Sequence, residues 1–392
     1  MQRTAVYWLV YEKTGSPIML GVAVFANQFP SFIFSIAGGV VSDRYNRFPL
    51  LLITQIASLV QALLMSWLVY SGNDTVWQII GLSVFLGVIN AFDVPARQAM
   101  IYDMVDHKEY LPNAIALNSS TVHAARLIGP AVSGIVLETA GPASCFLLNA
   151  FSFMAMILSM LLMRIPPARK HEHLHGVMTD LKNGLHYLKN TPAISNVMLM
   201  LAMVSLLSLP YITLLPIYAR EIHQGEASTF GYLNSFIGLG ALSGAIFLAS
   251  LPPGTNLKKM LFINTLLFGI GLAGFSHLTN LPGALAFVTL AGFGMMSQTT
   301  ISNTIIQTNV APAMRGRVIS YYAMAFFGMQ PLGALLVGIV SQEIGAPKTI
   351  LLQGIVTLLI ALIFLPFLRR RELEAKHKMK MEQLEERSIE AT

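Results

Sequence analysis

The chain has 392 residues, 54% of them hydrophobic and only 11% charged, with a formal net charge of +6. A water-soluble domain carries roughly a quarter charged residues, so this composition excludes an ordinary soluble globular protein and points to a membrane-embedded one. Cys145 is the only cysteine, which excludes an intrachain disulfide and a cysteine-based metal centre, and no cleavable signal pattern is expected at the start.

A helix needs about 20 apolar residues to cross about 30 Å of hydrocarbon. Near-continuous runs of that length fill 17–41, 49–71, 76–98, 112–137, 143–163, 193–219, 228–250, 259–277, 283–307, 317–342 and 347–368, eleven in all. Ahead of them lies the short apolar piece Thr4–Tyr11. As a helix Met1–Tyr11 covers only about 16 Å, whereas the matching helix of the second half starts near Ala193. The first helix is therefore expected to be truncated at its N-terminal end, either because the record starts at an internal methionine or because the protein works with half a helix.

The second half repeats the first. Gly129, Gly134-Ile135-Val136 and Gly141 recur at one constant offset as Gly333, Gly338-Ile339-Val340 and Gly345. A duplicated block of membrane helices is the usual frame of a transporter, with the pathway between the halves. The expected organisation is an N-terminal helix bundle over 1–163, a linker over 164–192, a C-terminal bundle over 193–368 and a charged tail over 369–392. In the linker, Val177, Leu181, Leu185 and Leu188 recur at helical spacing, which predicts an amphipathic helix on the membrane surface. His171, His173 and His175 read as part of a solvated loop rather than a metal site. Nothing in the tail argues for a nucleic-acid partner.

Alternate connections carry the positive charge. Arg44, Arg47, Lys108, Arg164, Arg169, Lys170, Lys182, Lys189, Lys258, Lys259, Arg315, Arg317 and the tail fall in one set; the other holds only Lys13, Arg220 and Lys348. The positive-inside rule places the first set, the linker and both termini in the cytoplasm.

The turn after the first long run reads Gly39-Val40-Val41-Ser42-Asp43-Arg44-Tyr45-Asn46-Arg47. It resembles the loop signature of the major facilitator superfamily, Gly-x-x-x-Asp-Arg-x-Gly-Arg-Arg/Lys. Gly39, Asp43, Arg44 and Arg47 match, Asn46 replaces a glycine, and Phe48 replaces a basic residue. Asn tolerates the left-handed backbone that the glycine would supply. Asp43 reads as a latch that pairs with arginines and a helix end of the other half; the plainer alternative is a topology signal and helix cap. Asp93 and Arg97, one turn apart, are expected to join Asp43 and Arg47 in one charge cluster. The matching loop of the second half, 249–259, carries no acid.

The run 112–137 carries Ala116, Ala125, Gly129, Pro130, Ser133 and Gly134, which partly match the Gly-x8-Gly-x3-Gly-Pro-x2-Gly-Gly pattern of the superfamily's antiporters. Small residues let helices approach closely and Pro130 bends the helix; ordinary helix packing would use the same residues. A longer resemblance joins Trp8–Ser16, Pro95–Ala99, Leu111–Ser119 and Phe327–Ala334. Together they look like the enterobactin-exporter-like branch, the transmembrane secretion effectors. That resemblance implies an all-α membrane protein of the major facilitator fold, with two pseudo-symmetric six-helix bundles, a bacterial inner-membrane location and proton-driven export of siderophores, macrolides or drugs. The partners implied are a small-molecule substrate, protons and the lipid bilayer. No cofactor, metal or nucleic acid is implied, and the chain is expected to be a monomer.

Few ionisable residues lie inside the membrane. Arg126 falls near mid-depth, with His123 one turn before it, and Arg3 lies deep in the first helix. With Trp8, Gln28, Gln298, Tyr321 and Gln330 they are the candidates for the substrate or proton path. His123 reads first as a hydrogen-bonded packing residue and second as a proton carrier. Arg126 needs a partner at that depth; carbonyls freed by Pro130 and an anionic or catechol-bearing cargo are equal readings. Competing functions are a proton-coupled importer on the same fold and a transport-inactive scaffold or signalling protein. An enzyme is not expected, since no His-Glu-x-x-His, Gly-x-Ser-x-Gly or nucleotide-binding lysine loop is present.

Overall fold

The computed structural model describes residues 1–105, 108–163, 177–252 and 254–367. Every regular element among them is helical. In hydrocarbon each backbone N–H and C=O must be satisfied within its own segment, which helices achieve.

In chain order the first half contains α1 (Gln2–Thr14), α2 (Pro17–Arg44), α3 (Arg47–Tyr70), α4 (Val76–Asp103), α5 (111–140) and α6 (142–162). The linker helix α7 (Val177–Asn190) follows. The second half contains α8 (Pro192–Ile222), α9 (Ala227–Ala249), α10 (Leu257–His277), α11 (Leu281–Asn309), α12 (Arg315–Ile344) and α13 (Ala346–Phe367). Ten stretches among the described residues are long and apolar enough to span a membrane. One of them, Asn113–Leu162, is two spans joined across Gly141, so the eleven expected runs are all present, with α1 as a shorter twelfth helix. The tail from 369 and the His171–His175 tract lie outside the described residues.

Local chemistry sets the breaks. Ser16 caps α2 by accepting from the Met19 N–H, with Pro17 in the first turn. Thr75 and Gln78 form a capping box at the start of α4. Gly141 and Gly345, equivalent positions of the repeat, both take positive φ (79° and 84°) and divide α5 from α6 and α12 from α13. Only glycine adopts that geometry without strain.

Two features escape a hydropathy reading. In α8 a 3₁₀ stretch over Leu209–Leu214 contains Pro210, and a π turn closes the helix at Tyr218–Ile222. In α12 a π turn over Met324–Gly328 precedes Pro331.

The turns at Gly15, Gly72, Gly141 and Gly345 lie at the end of the molecule opposite the linker, called here the far end. Within the first half α2 packs on α4, and α3 meets α6, where Ser66 donates to the Ala143 carbonyl and Leu51 clusters with Met160; within the second α9 and α10 pack on α11. Two crossings join the halves, α5 on α9 and α2 on α12, and the sequence repeat is what builds them. A Cβ on Gly134 would lie 2.6 Å from the carbonyl oxygen of Ala227, the first residue of α9; one on Gly338 would lie 2.7 Å from that of Pro17, the first residue of α2. Reciprocally, Gly231 faces the Pro130 carbonyl and Gly21 the Ala334 carbonyl, each at 2.6 Å. Pro130 and Ala334 are themselves equivalent in the repeat. Large apolar side chains such as Ile53, Trp67, Trp77, Leu158, Ile246 and Ile363 are exposed around the outside, as suits a surface solvated by lipid tails rather than water.

The repeat glycines are not all alike. Gly333 is pressed against Leu206 and Pro210 of α8, while a Cβ on its equivalent Gly129 would meet nothing within 4 Å, because α1 does not reach alongside it. Gly134→Ala is therefore expected to destabilise the protein by about 1–3 kcal/mol through overpacking. Gly129→Ala should be neutral or slightly stabilising through helix propensity. Thermal unfolding in detergent distinguishes the two.

Candidate functional site

At the linker end the bundles expose helix surface that is packed away at the far end. Residues 115–122 of α5 are exposed on every side of the helix over two turns, so this part of α5 stands clear of α9. The linker end of α11 is likewise exposed at Thr304, Gln307 and Thr308.

Arg3 and Arg126 are exposed, and His123, Gln28 and Gln330 are half-buried. Arg3 is the exposed residue of Gln2–Tyr11. Since α1 is surrounded by α2, α4, α5 and α8, its open side faces the space between the bundles. On α5, Ile128, Val132 and Ile135 form the exposed apolar face; Arg126 lies nearly opposite them at 100° per residue.

Other candidates are placed elsewhere. Trp8 is buried, 6% exposed, and stacks on Phe230 of the other bundle at 6.2 Å, so it joins the halves instead of lying on that open side. Gln298 is fully buried in α11, with Nε2 3.5 Å from Ser302 Oγ and Oε1 unpartnered. Tyr321 sits at the linker end, where its ring lies against Gly184 of α7. Beside it, Tyr187 of α7 accepts from the Ala311 N–H at 3.1 Å, which fixes the linker helix to the start of α12.

Close packing on α5 is confined to its far half. Ala116 and Ala125 are exposed and Gly129 has open space, whereas Ser133 is buried, donating to the Met1 carbonyl at 3.1 Å, and Pro130 and Gly134 meet α9. The six small residues thus split between an open half and a tight half.

At the linker end of the first bundle Asp93 is 3% exposed and its carboxylate accepts from Thr54 Oγ1 (2.9 Å), Gln55 Nε2 (2.7 Å) and Arg97. This ties α4 to α3 inside one bundle. Arg47 reaches the carbonyls of Ser42 and Ala99, each at 3.4 Å. The side chains of Asp43 and Arg44, and so their part in the expected cluster and latch, lie outside the described residues, as do the side chains of 177–181. Asn46 does not use the left-handed backbone expected of it. It is extended (φ −63°, ψ 123°) and caps α3, its side chain accepting from the Phe48 N–H at 3.1 Å. The glycine is replaceable here because the turn needs a cap, which asparagine supplies.

Residues 1–392, the whole chain, match the family described as transmembrane secretion effector. The chain belongs to this family of the major facilitator superfamily. The protein is a multi-pass membrane transporter, and neither the family nor its relatives are enzymes. It is 26% identical to the staphyloferrin A transporter of Staphylococcus aureus over 96% of this chain and 92% of that one. It is 23% identical to the multidrug efflux pump Tap of Mycolicibacterium fortuitum, covering 94% and 92%. Macrolide efflux protein A of Streptococcus pyogenes is 20% identical, covering 93% and 90%. Among solved structures, the fold is shared with a bacterial homologue of the lysosomal transporter Spinster in an inward-facing, unoccupied conformation (TM-score 0.72, 14% identity, 95% and 94% covered). It is shared also with the nucleoside transporter NupG (TM-score 0.71, 13% identity, 93% and 94% covered).

The far end of the transporter is closed by contacts that sequence reading did not single out. Tyr11 donates to Glu221 between the bundles. Ser235 Oγ accepts across the α5–α9 crossing, taking the Ala131 N–H at 2.9 Å. Glu138, at the end of α5, accepts from the Ser228 N–H at the start of α9 at 3.1 Å. Gln342, the repeat equivalent of Glu138, takes the Ser16 hydroxyl at the start of α2 at 3.2 Å. Beside them His223 bonds the Thr279 carbonyl at 3.1 Å; burial pushes its pKa below the ordinary imidazole value, partly offset by that bond.

One far-end contact thus carries a carboxylate on a helix N-terminus and its twin carries a neutral amide. Such a charge at a helix end is worth about 0.3–1 kcal/mol, a two- to fivefold effect on an equilibrium. Glu138→Gln should raise far-side labelling of a cysteine placed at Asn234, in a Cys145→Ala background, by about two- to fivefold. Gln342→Glu should lower it or leave it unchanged.

Proposed function

We propose that this protein is a secondary exporter of small amphipathic molecules, of siderophore, macrolide or drug type, working by alternating access and proton antiport in the bacterial cytoplasmic membrane. The supporting observation is the pair of packed helix crossings that join the bundles at the far end, with α5 exposed on every side at the linker end; we read the space between as a cavity open at the linker end. The relatives named for efflux and for a siderophore agree with that reading. On the positive-inside assignment the linker end is cytoplasmic, both termini are cytoplasmic, and the cavity faces the side from which an exporter loads.

In this reading 1–163 and 193–368 are the two rocking bodies, 164–192 tethers them at the cytoplasmic surface, and 369–392 is a cytoplasmic tail. Rocking must break contacts at one end while making them at the other. Asp43, with Arg44 and Arg47, is the proposed latch of the cytoplasmic end when that end closes. Asp93 and Arg97 stiffen the bundle beneath it. His123 lies on the cavity route and is the candidate proton carrier there.

Everted membrane vesicles test the function. Energised vesicles containing the protein should accumulate an amphipathic cargo from a panel of siderophores, macrolides and dyes, and a protonophore should abolish the accumulation. Uptake only in right-side-out vesicles would make the protein an importer. At equal protein level, Asp43→Asn should slow accumulation with membrane insertion and melting unchanged. Asp93→Asn should in addition lower the melting temperature, because it leaves buried donors short of an acceptor.

A further inference from the structure

We infer that Arg3 and Arg126 form an anion-binding pole in the cavity, which selects cargo bearing an anionic oxygen group on an aromatic or apolar body. The inference rests on the transport reading above and adds the substrate class to it.

The two guanidiniums come from different helices and both are exposed; α1 packs on α5, and the Met1 carbonyl accepts from Ser133, two turns from Arg126. Among the described residues neither meets a carboxylate or a hydrogen-bond acceptor. The acids that might have served are committed elsewhere. Asp93 is buried and held by Thr54, Gln55 and Arg97, while Glu138 and Glu221 close the far end. Pro130 has no N–H to give the Arg126 carbonyl, but that oxygen is packed against α9: a Cβ on Gly238 would lie 2.8 Å from it. The freed carbonyl therefore does not satisfy the Arg126 side chain. Two exposed cations without a protein counter-charge favour an anionic ligand between them.

The repeat shows that the charge is a feature of one bundle only. Gln330 and Phe327 occupy in α12 the positions that Arg126 and His123 occupy in α5. Phe327 is 57% exposed and meets Phe326 edge-on with ring centroids 4.8 Å apart. In the proposed cavity the first bundle supplies the cationic wall, and the repeat-equivalent positions of the second supply an amide and an aromatic ring. A rigid cation is repelled by the first wall. An anion with an aromatic body is matched by both, since guanidinium groups favour carboxylates and related oxyanions.

Binding to the purified full chain tests this without relying on transport. Three probes share one fluorophore: N-dansylglycine is anionic, N-dansylglycinamide is neutral, and a dansyl group carrying a trimethylammonium arm is cationic. The wild type should bind the anion most tightly and the cation most weakly. Arg126→Gln and Arg3→Gln should each weaken anion binding about tenfold or more and leave the neutral probe within about twofold. Arg126→Lys should keep most of the anion preference. Gel filtration and melting confirm that the variants are folded. A wild type that binds none of the three, or prefers the cation, overturns the inference, as do glutamine variants with unchanged anion binding. If anion selectivity holds while energised everted vesicles accumulate nothing, the pole stands and the export reading falls.

Discussion

The approach of helix backbones at the far end is the constraint on which the rest of the molecule depends. A membrane protein has little hydrophobic drive between its helices, since lipid tails are as apolar as leucine, so association relies on close packing and on interhelical hydrogen bonds. Gly134 with Gly231, and Gly21 with Gly338, remove the side chains that would hold the crossings apart. Only then do Glu138 and Gln342 reach the helix starts of the opposite bundle. With the bundles pinned at that end, the space left where α5 and α9 diverge is the proposed cavity, and its wall chemistry follows from the few residues that face it.

Each bundle is also braced internally. In the first, Gln2 donates to Gln61 at 2.7 Å and accepts from Asn149, and Gln61 donates to the Leu82 carbonyl. One buried chain of amides so connects α1, α3, α4 and α6. This anchors a helix of only 13 residues against its neighbours and fixes the depth of Arg3. In the second, Thr357 bonds Ser208 at 2.7 Å and Gln353 bonds the Leu207 carbonyl at 3.0 Å. Those bonds fall beside the 3₁₀ stretch of α8, where the helical ladder is interrupted and neighbouring side chains can hold the backbone.

Hydropathy and the repeat made much of this legible beforehand. The eleven long spans, the linker helix and the short first helix follow from run lengths, because the thickness of the hydrocarbon leaves a span little choice. Periodicity says less about which side of a helix faces a cavity, since lipid and protein neighbours are both apolar. Trp8 and Gln298 therefore looked like path residues and proved buried. The π turns at Tyr218–Ile222 and Met324–Gly328 leave no mark in hydropathy, yet each changes the phase of the residues that follow. The far-end contacts were missed for another reason. Glu138 and Gln342 look unrelated until they are aligned through Gly134 and Gly338, and a carboxylate beside a turn reads as solvated unless the helix start opposite it is known.

The duplication preserves the frame and abandons the chemistry. Glycines, the turn at Gly141 and Gly345, and the crossing carbonyls of Pro130 and Ala334 are kept in both halves. These are the positions where geometry allows no larger group. The charged positions differ: Arg126 against Gln330, Glu138 against Gln342, and Asp43 at the end of α2 against no acid in 249–259. A symmetric cavity would present the same wall twice and would hold a polar, two-headed cargo. With charge confined to one bundle, the second is free to offer aromatic and amide surface, and an amphipath can lie across the midline with one end on each. The same asymmetry bears on movement. In the proposed cycle, a ligand held by cations on one side and by weak apolar contacts on the other would stay with the charged bundle as the bundles separate, and its release would require that its charge be exchanged for water at the open end.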